Sequence, residues 1–391
     1  MNLYFFTQIR LCRINGVVWT TPAFSMPLWE RYLQVFDHIY VVARIKQTNT
    51  PIADAMTPIT SEKVSFVDLP YYIGPKQYLR VRKALYNKIE STIHMGDAYL
   101  LRVPGRIGSI AGKYLRKQGI KYGLEVVGDP WESMSPQASK HLLAPFFQVH
   151  GYLTLKELAL NASAALYVTQ HTLQDKYPTR KGVFTTNASN VIVRDEYISQ
   201  APKQTTDWGT RTLRLLSVGT LAQLYKAPDI VVKAVAELVK RGYRVSFTWL
   251  GGGQFLEPMR RLVQSLGIEE YVDFRGAVTL EEVRDELDKA DIFVHASRAE
   301  GLPRALIEAM AKGLPAVGTT VAGIPELLDK QALVPPNNVK KLVEAISLFI
   351  DNPSFAQEQA ENNWIESRKY HETILSNNRL NFYNELKRIS E

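Results

Sequence analysis

The chain is expected to fold as an α/β protein of two lobes, each a mostly parallel sheet wrapped by helices. Three observations carry this expectation. Its 391 residues exceed one ordinary core and suit two domains of roughly 150–200 residues. Apolar runs of strand length alternate along it with segments of helical period, which is the sequence form of βα units. Between the halves lies the stretch 196–212, EYISQAPKQTTDWGTRT, which is polar, holds Pro202 and has neither period, as a connector would.

In the first half, strands are expected near residues 3–6, 39–44, 64–68, 98–103, 122–127 and 166–168, with helices between them. The second half is more regular, with strands near 213–218, 244–250, 272–275 and 291–295 and shorter ones near 316–318 and 333–334. Each is followed by a helical pattern, as in a doubly wound sheet whose ligands bind outside the carboxyl ends of its strands. The loops after Val218, Leu250, Arg275 and His295 therefore belong to one site. The tail 354–389 is polar and helix-favouring, with a kink expected near Tyr370. This reading divides the chain into domains 1–200 and 201–370 and a terminal helix 371–391 that returns to pack on the first domain.

Composition narrows the class. Hydrophobic residues make up 46% and charged residues 22%, as in a globular protein, and no segment resembles a membrane span. The opening MNLYFFTQIRLCRINGVVW has Arg10 inside it and no charged start before an apolar run, so it reads as a buried strand and not as a signal peptide. The single cysteine, Cys12, has no intrachain partner and suits a reducing compartment, so a cytoplasmic location is expected. Charge is uneven: residues 1–200 hold 23 Lys+Arg against 14 Asp+Glu, a balance of +9, whereas 201–391 hold 24 against 25, or −1. The excess concentrates in 76–88, KQYLRVRKALYNK, and in 102–121. Such stretches attract a membrane surface, a phosphorylated acceptor or nucleic acid, or they are plain solvated helix faces.

The densest chemical signal is SRAEGLPRALIEAMAKGLPAVGTTVAGIPELL at 297–328, directly after the strand DIFVHA. Glu300 lies in the loop leaving the strand, and Pro303 suits the first position of the following helix. Glu308 then sits about 7–8 Å along the axis. Two carboxylates flank a helix N-terminus, itself a natural anion site. A diphosphate bound there would have a carboxylate on each side for hydroxyls, and a bidentate contact to ribose is a reasonable task for Glu308. On the plainer alternative, Glu300 caps the helix and Glu308 pairs with Lys312 at i, i+4.

The segment resembles the E-x7-E region of retaining glycosyltransferases of family 4, in the variant EGLPRALIEAMA. Other family features follow in order: LLSVGTLAQLYKAPDIVVKAV at 215–235, the turn Gly251-Gly252-Gly253, FRGAV at 274–278 and GIPELL at 323–328. The resemblance spans about 211–350. It implies a GT-B fold, with two Rossmann-like domains facing a cleft, the N-terminal one for acceptor and the C-terminal one for donor. By position, Glu300 would contact donor-sugar hydroxyls, Glu308 would hold the ribose and Lys226 would meet the pyrophosphate. Physics adds that a lysine just before a helix start at Pro228 is repelled by the dipole unless an anion sits there; otherwise Lys226 is a surface lysine. Gly219, Thr220, Gly251, Gly252, Gly276, Gly301, Leu302, Arg304 and Ala305 complete the implied donor site, although the glycine run alone is equally a tight turn.

Two departures from the family matter. Where it usually has an Arg beside the lysine, this chain has Val218-Gly219-Thr220, and its EGFG-type loop becomes Glu300-Gly301-Leu302-Pro303. Arg304 is the candidate replacement cation, or else a solvent-exposed Arg. On the acceptor side, VVGDPWESMSP at 126–136 offers Asp129 to position or deprotonate the acceptor hydroxyl and Trp131 to stack on a sugar; the alternative is an Asp-Pro turn with a buried Trp. Gly16 is also set on the acceptor side. His295 is open between core and site. The seven histidines lack metal-ligand spacing and no Asp-x-Asp occurs, so neither metal nor cofactor is expected.

The expected reaction is transfer of a hexose-type sugar, with retention, from a nucleotide-diphosphate sugar to a glycan or lipid-pyrophosphate-linked acceptor. An anionic membrane surface is the further partner expected for the basic first half. The rival readings are a nucleotide-sugar epimerase of the same fold and a basic nucleic-acid-binding or membrane-binding protein that is not an enzyme; no nucleic-acid partner is expected.

Overall fold

The computed structural model describes residues 1–53, 56–135 and 143–391. By internal packing the chain forms two units, one of Met1–Gly128, His150–Ala188 and Ser376–Glu391, the other of Asp129–Val149 and Ser189–Leu375.

Among its described residues, the first unit holds a nine-stranded sheet made of β1 Asn2–Ile14, β2 Val17–Thr20, β3 His38–Gln47, β4 Thr57–Ile59, β5 Val64–Leu69, β6 Ala98–Val103, β7 Gly123–Val126, β8 Ala164–Tyr167 and β9 Phe184–Asn187. Neighbours in the series β5, β3, β1, β6, β7, β8, β9 are all parallel. Their apolar residues are buried on both faces, including Leu3, Phe5, Phe6, Val41, Val42, Leu100 and Leu101, as expected of a parallel sheet. β1 runs well beyond the stretch expected at 3–6. Its polar Thr7-Gln8 reads as an end, but the strand absorbs it in a register shift between Phe6 and Arg10 and continues to Ile14. Asn15 and Gly16, at φ +48° and +84°, then turn it into the antiparallel β2, as a two-residue hairpin requires. β2, β4 and β9 lie outside the expected strands.

The second unit is wholly parallel, with β10 Leu213–Val218, β11 Val245–Leu250, β12 Val272–Gly276, β13 Ile292–His295, β14 Ala316–Thr319 and β15 Leu333–Val334 in the order β12-β11-β10-β13-β14-β15. These lie within about a residue of the expected strands. Helices Pro228–Lys240, Leu256–Ser265, Leu280–Lys289, Arg304–Ala311 and Val339–Asp351 connect or follow them.

The stretch 196–212 is not a slack connector. Ser199 and Lys203 donate backbone N–H to Ala311 and Gly313 at 3.0 and 2.9 Å, Trp208 is buried, and Arg211 forks onto the buried Asp291 at 2.7 Å from each outer nitrogen. Its polarity is used in binding it to the second unit. At the other end of the chain, helix Pro353–Ser367 breaks through a 3-10 turn at Arg368–Tyr370 into helix Glu372–Ser390. From Ser376 this helix belongs to the first unit, with Tyr383 against Tyr32 at 4.7 Å between ring centroids. Among the described residues no helix is long and apolar enough to cross a membrane.

Candidate active site

β10 and β13 are neighbours from which the chain departs in opposite directions, to β11 on one side and β14 on the other. Such a switch point opens a crevice at the carboxyl ends of the two strands. The loops that leave there carry Gly219 to Lys226 after β10 and Ala296 to Pro303 after β13.

At the centre is Glu300, almost wholly buried. Its Oε1 accepts from Lys226 Nζ, from His295 Nε2 at 2.9 Å and from Ser297 Oγ at 2.7 Å. Ser297 is fixed in turn, since Thr319 Oγ1 donates to its carbonyl at 2.7 Å. Burial alone would raise the pKa of Glu300, but the Lys226 charge and the His295 and Lys226 hydrogen bonds outweigh it and bring it down to about 2. Glu300 is therefore ionised throughout the physiological range. His295 is shifted down, by burial first and by Lys226 next, against the pull of Glu300. It is a neutral imidazole at pH 7 that donates from Nε2. The structure thus brings Glu300 and Lys226 together as the motif implies, and it puts His295 and Ser297 in the same cluster. Ser297 went unnoticed in the sequence; its only signal was its place three residues before Glu300.

Lys226 ends a 3-10 turn, Leu224–Lys226, and the next residue, Ala227, stands at φ +54° before the helix starts at Pro228. Arg298 clips this turn in place. Its guanidinium donates to the Leu224 carbonyl, to Asp229 Oδ2 at 2.7 Å and to Asn337 Oδ1 at 2.6 Å, and its backbone N–H reaches the Tyr225 carbonyl at 2.6 Å. The stem of Lys226 crosses Gly219, where an added Cβ would lie 3.0 Å from Lys226 Cγ.

The triple glycine is a tight turn with a specific cause. It presses backbone against backbone: a Cβ on Gly251 would lie 2.1 Å from the Gly219 carbonyl oxygen, and one on Gly253 2.2 Å from the Ala222 nitrogen. Leu221 N–H donates to the Gly252 carbonyl at 2.8 Å, and Gly251 N–H to the Gly276 carbonyl at 2.7 Å. Thr220 Oγ1 donates to the Gly252 carbonyl at 3.3 Å and accepts from Ala222 N–H at 3.1 Å. Gly219, Thr220, Gly251, Gly252 and Gly276 are therefore one interlocked loop layer.

The helix after β13 begins at Arg304, one residue later than expected. Pro303 is extended, at φ −75° and ψ 111°, and serves as the N-cap residue without a capping side chain. Glu300 is thus not a cap. Gly301 accepts from Gly323 N–H at 2.9 Å, Leu302 is buried, Ala305 half-buried and Arg304 exposed. The carboxylate of Glu308, one turn beyond Arg304, forms no hydrogen bond or ion pair with another described residue, and Lys312 pairs with Asp288 at 2.7 Å instead. Burial raises the Glu308 pKa, with Arg304 and Arg284 acting to lower it. A mostly buried, unpaired carboxylate is costly unless a ligand supplies donors. Among the described residues no three His, Cys, Asp or Glu side chains gather as a metal would need.

Residues 212–352 match the family model described as glycosyl transferases group 1. Residues 212–352 are a group 1 glycosyltransferase domain. Over 347 residues, 88% of it and 85% of the relative, the chain is 26% identical to Protein CapJ of Staphylococcus aureus. It is 35% identical over 123 residues to the amylovoran biosynthesis glycosyltransferase AmsK of Erwinia amylovora, a match covering 30% of each chain. Among solved structures, sucrose-phosphate synthase from Thermosynechococcus elongatus superposes with a TM-score of 0.69 at 15% identity, covering 99% of both chains. HepE of Anabaena in complex with UDP-glucose gives 0.63 at 16%, covering 97% of this chain and 98% of that one. The chain has the GT-B fold.

The remaining candidate residues come from other segments of the chain. Asp129 is buried and is the N-cap of the short helix Pro130–Ser133, its Oδ1 accepting from Trp131 N–H at 2.8 Å. Trp131 is 38% exposed, which contradicts the buried-Trp alternative. Both group with the second unit; Pro136, the end of their segment, lies outside the described residues. Gly16 forms the hairpin tip of the first unit, beside a polar depression of about 610 Å³ lined by Arg13, Asn15, Gln47, Thr48 and their neighbours.

Proposed function

We propose that this glycosyltransferase moves a hexose-type sugar, with retention of configuration, from a nucleoside-diphosphate sugar to a hydroxyl of a glycan or lipid-pyrophosphate-linked saccharide. The observation that carries the reading is the pairing of an ionised, thrice-bonded Glu300 with an unpaired, mostly buried Glu308 one loop away. The solved structure of HepE with UDP-glucose and the amylovoran role in the name of AmsK support a nucleotide-sugar donor and a polysaccharide setting.

In this reading Glu308 accepts hydrogen bonds from the two ribose hydroxyls. The diphosphate lies against Lys226 and the uncapped N-terminus of helix Arg304–Ala311. Glu300, whose Oε1 is already occupied, offers its other oxygen to a hydroxyl of the sugar. The acceptor oxygen bonds to the anomeric carbon as the bond from that carbon to the phosphate oxygen breaks. The electron pair leaves with the diphosphate, where Lys226 stabilises it. Asp129 is the proposed group for positioning the acceptor hydroxyl and taking its proton, and Trp131 the proposed ring platform. With Lys226 supplying the positive charge, activity is expected to survive EDTA; loss on chelation with recovery on adding Mg²⁺ or Mn²⁺ would contradict this. The match to transferases does not favour the epimerase or nucleic-acid readings. A thermal-shift screen of UDP, GDP, ADP and their common sugars identifies the donor, since a ligand at a hundredfold excess over Kd adds about 2.7 kcal/mol. The anomeric coupling constant of the product by proton NMR then decides retention.

Membrane docking is a second element of the proposal, favoured by helix Gly74–Glu90, whose Lys76, Arg80, Arg82, Lys83 and Lys88 are all exposed beside the exposed Leu79. Flotation with anionic but not neutral liposomes, weakening as salt rises, is expected. Equal recovery with both would count against it.

A further inference from the structure

Arg10 and Arg44 are register partners on the parallel strands β1 and β3, so their side chains stand side by side on one face of the first unit's sheet. Like charges placed directly opposite one another are destabilising, and here one of the two is buried: Arg44 is only 7% exposed. Its outer nitrogens donate to the carbonyls of Tyr72, at 2.8 Å, and of Gln8, while its Nε is buried without a partner. Burial first, and the neighbouring Arg10 charge besides, hold the Arg44 pKa below its usual value. The Arg10 guanidinium forms no hydrogen bond or ion pair with another described residue.

Alternation along the strands explains why no acid relieves them. Asp68 on β5 is the register partner of Ala43, which puts it on the opposite face from Arg44. There it is taken by Arg13 at 3.1 Å and Gln47 at 3.2 Å.

A third guanidinium joins from the next layer. Arg106 opens helix Arg106–Lys117, whose first turn holds no acidic residue, and a cation at that end is unfavourable to the helix. Its guanidinium lies over the Tyr78 ring at 5.0 Å. Tyr78 lies 5.4 Å from Tyr72, whose ring is 4.5 Å from the Arg44 guanidinium. Gln8 ties the two parts together: its carbonyl accepts from Arg44, its Oε1 accepts from Ile107 N–H at 3.1 Å, and its Nε2 donates to the Tyr72 hydroxyl at 3.2 Å. The cluster therefore holds three arginines, two tyrosines and a helix N-terminus, with no carboxylate among the described residues that bond to it. It lies at the carboxyl end of β6, the side of a parallel sheet where ligands bind.

We infer that the first unit carries an anion-binding subsite formed by Arg10, Arg44 and Arg106, and that its ligand is an acidic group of the acceptor, either a phosphate or a sugar carboxylate. An anion at the Arg10–Arg44 pair relieves the like-charge contact and gives the buried guanidinium a counter-charge, while Arg106, joined to them through Tyr78 and Tyr72, adds its positive field. This inference rests on the proposed transfer reaction, with the acceptor met by the N-terminal domain as the family resemblance implies.

The test is calorimetric titration of the full chain, saturated with UDP to occupy the donor site, with inorganic phosphate, with glucuronate and with glucose as the neutral control. Saturable binding of phosphate or glucuronate, weakened at least about tenfold in both Arg10→Gln and Arg106→Gln, is expected. Phosphate alone assigns a phosphorylated acceptor and glucuronate alone a carboxylated one. Arg10 is exposed and Arg106 half-buried, so these variants do not depend on replacing the buried Arg44. Lys226→Met is expected to keep the anion affinity, and this separates the subsite from the donor site even where UDP fails to bind. Anion binding no tighter than that of glucose, or wild-type affinity in Arg10→Gln and Arg106→Gln, overturns the inference.

Discussion

Lys226 and His295 share one acceptor, the Oε1 of Glu300. Because Ser297 donates to the same atom, the carboxylate is held at one oxygen by three donors and its plane is set before any donor sugar arrives. Ser297→Ala and His295→Leu are each expected to lower kcat about tenfold or more, as losing a hydrogen bond to a charged group does. Nucleotide affinity should be unchanged, because neither residue faces the nucleotide in this account. His295→Gln should recover part of the loss. Steady-state kinetics beside calorimetry with free nucleotide separates the two effects, and a fall in nucleotide affinity equal to the fall in kcat would contradict the assignment.

Acid should weaken the fold through the same cluster. Glu300, at about 2 in the folded chain against an ordinary 4.5, contributes stability that is present above 4.5 and is lost as pH falls toward 2, amounting to ~3 kcal/mol. His295 acts in the same direction and earlier, since its folded pKa is below the usual 6.5 and the unfolded chain takes up its proton first. In urea unfolding from pH 7 to 3, the stability gap between wild type and Glu300→Gln should narrow as pH falls below 4.5. A gap constant across that range would rule out an ionised, stabilising Glu300.

Much of the second unit was legible because each strand is a short apolar run followed by a helical period, and because E-x7-E places two carboxylates at known positions relative to a helix start. Less visible was whatever depends on chain segments meeting. His295 and Ser297 join Glu300 only because the loop after β13 folds back over its own strand. The polar Thr7-Gln8 concealed the length of β1, since a register shift leaves no periodic trace. Likewise the polar 196–212 looked like a connector, whereas residues such as Arg211 are paired with buried acids that composition does not reveal.

Arg304 stands at the first helical position of the proposed diphosphate site, exposed, where a cation opposes the helix dipole unless an anion is present. It is the proposed replacement for the arginine that Thr220 lacks, since a guanidinium fits phosphate oxygens as a fork. Arg304→Ala should lower both diphosphate affinity and turnover, and Thr220→Arg added to it should restore part of each. Wild-type affinity and turnover in Arg304→Ala would leave Lys226 and backbone amides as sufficient.

The central claim is that Glu308 holds the nucleotide and Glu300 the sugar being transferred. Its most direct test is one calorimetric series with the free nucleoside diphosphate on wild type, Glu308→Ala and Glu300→Ala, read beside their turnover. Glu308→Ala should weaken nucleotide binding by roughly 1.5–3 kcal/mol, whereas Glu300→Ala should bind it nearly as wild type does and lose turnover. Wild-type nucleotide affinity in Glu308→Ala would contradict the account.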